Sequence, residues 1–229
     1  MMQEDKLMIR DQAQSPAAEA FRSLRTYIQL SQDDDAMKTI LFTSTGSDEG
    51  KSLTVANTAI SIAQSGRKVI IMDCDLRKPV QHEIFGLQNM GITDILTGKK
   101  NVGELIQKTE ITNLYLLASG TINKHPAELL AATRLYKIFE ALKEEADVIL
   151  VDTPPIMAVT DACILAGSVD GVALVLDAGS VHPKDAQRAK ERLLRAKANI
   201  IGVIMNRVQT GDEELYQQYY YQAVQQKVR

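Results

Sequence analysis

Six short runs of this sequence are almost purely apolar, and longer amphipathic stretches separate them. The runs are KTILFTS (38–44), KVIIMD (68–73), NLYLLA (113–118), DVILVD (147–152), GVALVLD (171–177) and NIIGVIMN (199–206). A strand with one wet face alternates polar and apolar residues, whereas a strand covered on both faces need not. Runs this continuous predict strands with helices on both sides. The stretches between them read as helices over 52–66, 126–145, 159–167 and 183–198. Pro126 and Pro183 suit first-turn positions, and Gly66 and Gly167 suit helix exits. Strand–helix alternation predicts an α/β fold: a mostly parallel central sheet with helices on both faces and right-handed crossovers.

Two segments flank this core. Residues 16–30 (PAAEAFRSLRTYIQL) predict a helix with Phe21, Leu24 and Ile28 on one face, and the acidic SQDDDA (31–36) separates it from the first strand. Residues 208–229 follow the last strand as a polar tail. The stretch 76–112 reads as loops with short helices. With 229 residues and no shift in composition, one domain is expected, its core spanning 38–207.

The totals exclude several classes. A formal net charge of −3 gives no bulk attraction to nucleic acid, so no nucleic-acid partner is expected. Two cysteines, Cys74 and Cys163, make neither a disulfide framework nor a metal set, which fits a reducing, cytoplasmic setting. No apolar run approaches the ~20 residues of a membrane helix. The first residues, MMQEDKLMIRDQ, are too polar for a signal peptide.

The first strand runs into TGSDEGKS and then a helix. This is close to Gly-x-x-x-x-Gly-Lys-Ser/Thr, the phosphate-binding loop of P-loop NTPases, with Thr45 in place of the first glycine. Such a loop cradles phosphate with backbone N–H groups, here those of Gly46, Ser47, Asp48, Glu49, Gly50, Lys51, Ser52 and Leu53, and the helix N-terminus favours the anion. Lys51 is expected to reach the β- and γ-phosphates of ATP, and Ser52 to hold Mg²⁺.

Three aspartates join the loop. The second strand ends IIMDCDLRKP, so Asp73 and Asp75 fall on one side while the chain stays extended. The fourth ends VILVDTPP, with Asp152 at its tip. Strand ends of this kind sit at the carboxyl edge of the sheet, where ligands bind in open α/β folds. Asp152 is placed as the Mg²⁺-associated carboxylate, and an ordinary P-loop ATPase needs no second and third. Neighbouring carboxylates raise one another's pKa, which suits a general base. Cys74 between them reads as core packing.

Together, TILFTSTGSDEGKS, VIIMDCDLRKP and VILVDTPP resemble the Walker A, A′ and B motifs of the bacterial tyrosine kinases, or BY-kinases. Glu19, Arg22 and Arg25 match that family's Glu-x-x-Arg-x-x-Arg motif, and PAELL (126–130) and the tyrosine-rich tail extend the likeness over nearly the whole chain. The resemblance implies transfer of the γ-phosphoryl of ATP to tyrosine. It implies that Asp73 orients or deprotonates the acceptor, that Asp75 and Asp152 organise the metal and its waters, and that Ser52, Asp73 and Asp152 form the metal side. It implies that Asn206 reads adenine; on the residues alone, a strand-end turn serves equally. It implies a homo-oligomeric ring built through the helix of Glu19, Arg22 and Arg25, whose plain reading is a solvated helix face. It also implies a separate transmembrane activator of the polysaccharide co-polymerase type that recruits the kinase to the inner face of the plasma membrane, a cognate tyrosine phosphatase, and control of capsule or exopolysaccharide synthesis. The alternatives are a MinD-like ATPase whose nucleotide state governs assembly, and a non-catalytic ATP-binding adaptor.

Four of the seven tyrosines, Tyr216, Tyr219, Tyr220 and Tyr221, lie within YQQYYYQ. Three adjacent rings cannot share a helix face, and the glutamines around them predict a mobile tail. The cluster reads as phosphoacceptor, with about −1.5 to −2 charges gained per modified tyrosine. The basic helix 183–198 reads as a solvated face.

Overall fold

The protein is described here by a computed structural model covering residues 7–30, 37–98, 100–121, 125–131 and 133–208. The acidic segment 31–36 and the four tail tyrosines lie outside these residues.

Seven strands form one sheet in the order β3-β4-β2-β5-β1-β6-β7. They are β1 (Thr39–Ser44), β2 (Val69–Asp73), β3 (Gln107–Lys108), β4 (Leu114–Leu117), β5 (Val148–Asp152), β6 (Gly171–Asp177) and β7 (Ile200–Asn206). All neighbours pair in parallel except β3, which runs antiparallel to β4. The six expected strands are present. Their continuous apolarity has the expected cause, because successive residues feed two different cores. On one side Ile70, Met72, Ile149 and Val151 pack beneath Phe139, Leu165 and Leu193. On the other, Val69, Ile71, Val148 and Leu150 pack beneath Val55, Ile60 and Ile28.

The helices are α1 (Met8–Asp11), α2 (Pro16–Leu30), α3 (Lys51–Ala63), α4 (Gln81–Ile84), α5 (Ile92–Leu96), α6 (Val102–Leu105), α7 (Pro126–Leu130), α8 (Thr133–Glu145), α9 (Asp161–Ala166) and α10 (Pro183–Arg195). Helix α3 is buried on nearly every side, between the sheet and a cover made by α1 and α2. Its polar residues stay satisfied inside: Thr54 and Thr58 donate to the carbonyls of Gly50 and Thr54, and Asn57 accepts the backbone N–H of Ile9. Phe21, Leu24 and Ile28 of α2 face this core, as their spacing predicts.

The helix bounds depart from the sequence reading most clearly at two places, 126–145 and the end of α10. The helix expected over 126–145 is two helices. Pro126 and Leu130 are buried in α7, and Leu135, Ile138, Phe139 and Leu142 in α8. The step of five from Leu130 to Leu135 is out of phase for one amphipathic helix, since neighbours on a face lie three or four apart. Both glycines expected at helix exits are found there: Gly66 follows α3 with a left-handed φ of 93°, and Gly167 is the C-cap of α9 in the right-handed region at φ −78°. Helix α10 ends at Arg195, earlier than expected. Lys197 follows with φ 58°, while the N–H groups of Lys197 and Ala198 close on the carbonyls of Leu194 and Leu193. This is a Schellman exit with a lysine in the position glycine favours.

Candidate active site

The carboxyl ends of β1, β2 and β5, adjacent in the sheet, open into the loops that carry the motifs. The phosphate loop leaves β1 and enters α3 through Gly50, whose φ is 79°. A Cβ there would meet Nδ2 of Asn206, which donates to the carbonyl of Glu49 at 2.9 Å. Asn206, at the end of β7, is therefore fixed against the loop, and only glycine fits between them. The departure at Thr45 also has a structural role. Its hydroxyl and the N–H of Gly46 both donate to Oε1 of Glu49, so the buried glutamate side chain draws the two ends of the loop together.

Lys51 is the first residue of α3. Its ammonium, almost enclosed, is bonded to Oδ1 of Asp152 and donates to Oγ of Ser52 at 3.1 Å. Asp152 closes β5 and Asp73 closes β2, and the two are direct register partners on adjacent strands, both fully buried. Both oxygens of Asp73 are occupied. Oδ1 accepts the N–H of Asp75 at 3.1 Å, and Oδ2 those of Val80 at 3.2 Å and Gln81 at 3.1 Å. Asp75 accepts the N–H groups of Lys78 and Arg77 at 2.9 and 3.3 Å through Oδ1.

Two of the carboxylates in this centre are shifted upward. Burial, and then the charge of Asp152, push the pKa of Asp73 well above its ordinary value, against the pull of the Gln81 N–H and Lys51. Burial raises Asp75 as well. Cys74 faces the apolar core, where burial and the surrounding carboxylates raise its thiol pKa; it is a packing residue, as expected.

The structure adds residues that motif reading passed over. Arg77 forms a two-pronged pair with the fully buried Asp161 at the start of α9, at 2.9 and 3.0 Å. Asp161 was visible only as the beginning of a helix, because its partner lies 84 positions away. Gln81 sends both amide hydrogens into the centre, and no sequence pattern marks it. By contrast, Glu19 and Arg22 pair with each other at 2.7 Å, and Arg25 donates to the carbonyl of Ser61 on α3 at 3.0 Å.

The donor set fits Mg²⁺. The Ser52 hydroxyl and an Asp152 oxygen converge on one point, held here by the ammonium of Lys51. Among the described residues no cluster of three His, Cys, Asp or Glu side chains forms a metal cage. Mg²⁺ needs none, since it keeps waters and takes one or two carboxylates together with substrate phosphates.

Residues 37–181 match the AAA domain family. The tyrosine-protein kinase YwqD of Bacillus subtilis is 40% identical over 190 residues, which is 82% of this chain and 80% of that protein. The kinase domain of the Escherichia coli tyrosine kinase ETK superposes with a TM-score of 0.84 at 30% identity, covering 90% of this chain and 83% of that one. The septum site-determining protein MinD of Pyrococcus horikoshii, solved with Mg-ADP, shares the fold at a TM-score of 0.65 and 24% identity, over 77% of this chain and 72% of its own. The MinD likeness extends to the fold, but the likeness to the kinases extends to sequence over most of both chains, and on that ground this chain belongs to the bacterial tyrosine-protein kinases.

Proposed function

We propose that the kinase phosphorylates its own C-terminal tyrosines, Tyr216, Tyr219, Tyr220 and Tyr221, in a neighbouring copy, with ATP as donor and Mg²⁺ bound beside it. The observation that carries this reading is the convergence of Lys51, Ser52 and Asp152 beside the buried Asp73. Lys51 leaves Asp152 for the β- and γ-phosphates when nucleotide enters, and backbone N–H groups of the loop hold the phosphates from below. Asn206, held beside the loop by its bond to the Glu49 carbonyl, is assigned the reading of the base. Mg²⁺, held through Ser52 and Asp152 with help from Asp73 and Asp75, supplies charge neutralisation of the phosphates when bound. Asp73 orients the tyrosine hydroxyl and takes its proton as the phenolic oxygen bonds to the γ-phosphorus and the bond to the β-phosphate oxygen breaks.

The proposed setting draws on charge and shape. Helix α2 leaves Tyr27 and Leu30 largely exposed, 68% and 75%, and carries the Glu19–Arg22 pair, while Arg25 bonds to Ser61 of α3. That face supports assembly through a repeated contact with the next copy, of the kind that closes a ring. Phosphates added to one tail repel each other and the acidic site, and so loosen the assembly. No helix among the described residues is long and apolar enough to cross a membrane. The kinase is therefore proposed to work in the cytoplasm, recruited by a membrane activator, opposed by a phosphatase, and to control capsule or exopolysaccharide assembly.

Incubation with ATP and Mg²⁺, with and without the activator's cytosolic segment, followed by mass spectrometry of the tail, tests the reading. Phosphate on the four tyrosines, absent in Lys51→Met, is expected. ATP turnover without phosphotyrosine, even with the activator present, would overturn the proposed acceptor in favour of a nucleotide-gated assembly ATPase.

A further inference from the structure

Gln81 sits where the three motifs meet. It is fully buried at the start of α4, in the loop that follows Asp75. One amide hydrogen goes to Oδ2 of Asp152 at 2.7 Å and the other to the carbonyl of Ser52 at 3.0 Å. Its backbone N–H goes to Oδ2 of Asp73 at 3.1 Å. One residue thus bonds the phosphate loop, the end of β2 and the end of β5. The amide orientation follows from its partners: a carboxylate and a carbonyl both accept, so the NH₂ must face them. The amide oxygen Oε1 is buried with no hydrogen-bond partner.

We propose that Gln81 is a positioning residue for the metal-associated carboxylate: it holds Oδ2 of Asp152 so that Oδ1 alone is presented to Mg²⁺. In the structure the ammonium of Lys51 bonds to Oδ1. When Lys51 moves to the phosphates, Asp152 loses its cation while remaining enclosed. A carboxylate freed at both oxygens could turn toward the loop N–H groups or chelate with both oxygens. Held at one oxygen by a short amide bond, it offers one lone-pair direction, as suits the strict geometry of Mg²⁺. The same amide fixes the Ser52 carbonyl, and with it the residue whose hydroxyl is the second protein donor. Partners of this kind typically change metal affinity by about 10–100-fold when removed. The inference rests on the nucleotide–Mg²⁺ reading of the site given above.

The test compares the affinity for a fluorescent ADP analogue with saturating Mg²⁺ and with EDTA, in the full chain and in Gln81→Met, which keeps length and bulk but has no amide. The ratio of the two affinities on one sample is insensitive to any fraction that fails to fold. Mg²⁺ is expected to tighten binding in the unaltered protein, and Gln81→Met to lose about tenfold or more of that tightening while binding without Mg²⁺ stays within about twofold. Gln81→Glu, which sets a third carboxylate against Asp152, should lower the tightening too, with a pH dependence absent from Gln81→Met. An unchanged ratio in Gln81→Met, or an equal loss with and without Mg²⁺, overturns the role given to Gln81 while leaving the kinase reading standing. Absence of any Mg²⁺ effect in the unaltered protein overturns both.

Discussion

The ammonium of Lys51 and the carboxylate of Asp152, 101 positions apart in sequence, form an ion pair that is almost wholly enclosed. This pair links the phosphate loop to the end of β5. Breaking a buried pair from one side leaves an uncompensated charge and typically costs about 3–5 kcal/mol. Lys51→Met is therefore expected to destabilise the nucleotide-free protein by about 3 kcal/mol. Adding Asp152→Asn removes the stranded charge, so the double variant should recover a large part of that loss. Urea unfolding of the four proteins in the cycle checks this. Simple addition of the two single effects would mean that the pair is solvated and carries little energy.

Asp73 and Asp75 both have pKa values raised by burial, from an ordinary 3.8. The native state consequently holds their protons more tightly than the unfolded chain does. The stability this gives is present at low pH and is lost as pH rises from the unfolded value through the folded ones. In the metal-free protein these two groups should then make unfolding easier as pH rises above about 4, against the usual trend for paired carboxylates. Asp73→Asn should flatten that slope, and Mg²⁺ with nucleotide should reduce it by favouring the ionised forms. Urea midpoints against pH for the unaltered protein and Asp73→Asn provide the check, because Asp170 and Asp177, whose pKa values are lowered, contribute equally to both; parallel profiles contradict the assignment.

Much of this site was legible because its parts are local. A phosphate loop needs a strand, a turn and a helix start in one short stretch, and the three aspartates mark strand ends whose neighbours are uniformly apolar. What stayed hidden depends on contacts across the fold. Strand β3 is two polar residues, Gln107 and Lys108, which are extended because β4 lies beside them. The break between α7 and α8 contains no glycine or proline; it appears only when Leu130 and Leu135 are seen to be buried in separate helices. Gln81 looks like any loop glutamine until Asp152 and Ser52 are brought to its amide. The tail is the opposite case, read from composition alone, since the described residues end before it.

The Arg77–Asp161 pair ties the loop after β2 to the start of α9, with Asp161 fully buried and Arg77 partly exposed. Solvent at the arginine reduces the energy below that of an enclosed pair. Arg77→Ala should cost about 2 kcal/mol, chiefly because Asp161 is left buried and unpaired. Arg77→Lys should recover less than half of it, because one ammonium cannot match two carboxylate oxygens as a planar fork does. Thermal unfolding of the three proteins decides the matter. Equal stability of the lysine and arginine forms would show that charge alone, and not the two-pronged geometry, is what the loop requires.

At the far end of α10, Lys197 carries φ 58° with its side chain exposed, in a helix exit closed by the N–H groups of Lys197 and Ala198. A left-handed backbone costs a residue with a Cβ roughly 1–2 kcal/mol, and glycine nothing. Glycine also loosens the unfolded chain, by roughly 0.4–1 kcal/mol. The first effect is the larger, so Lys197→Gly should stabilise the protein by up to about 1 kcal/mol. The exit lies away from the phosphate loop, so phosphoryl transfer should be unaffected. Lys197→Ala separates the two contributions, since alanine removes the lysine side chain yet keeps the strained backbone. If alanine stabilised as much as glycine, the gain would come from losing the lysine charge beside Arg195, and the backbone account of this exit would be wrong.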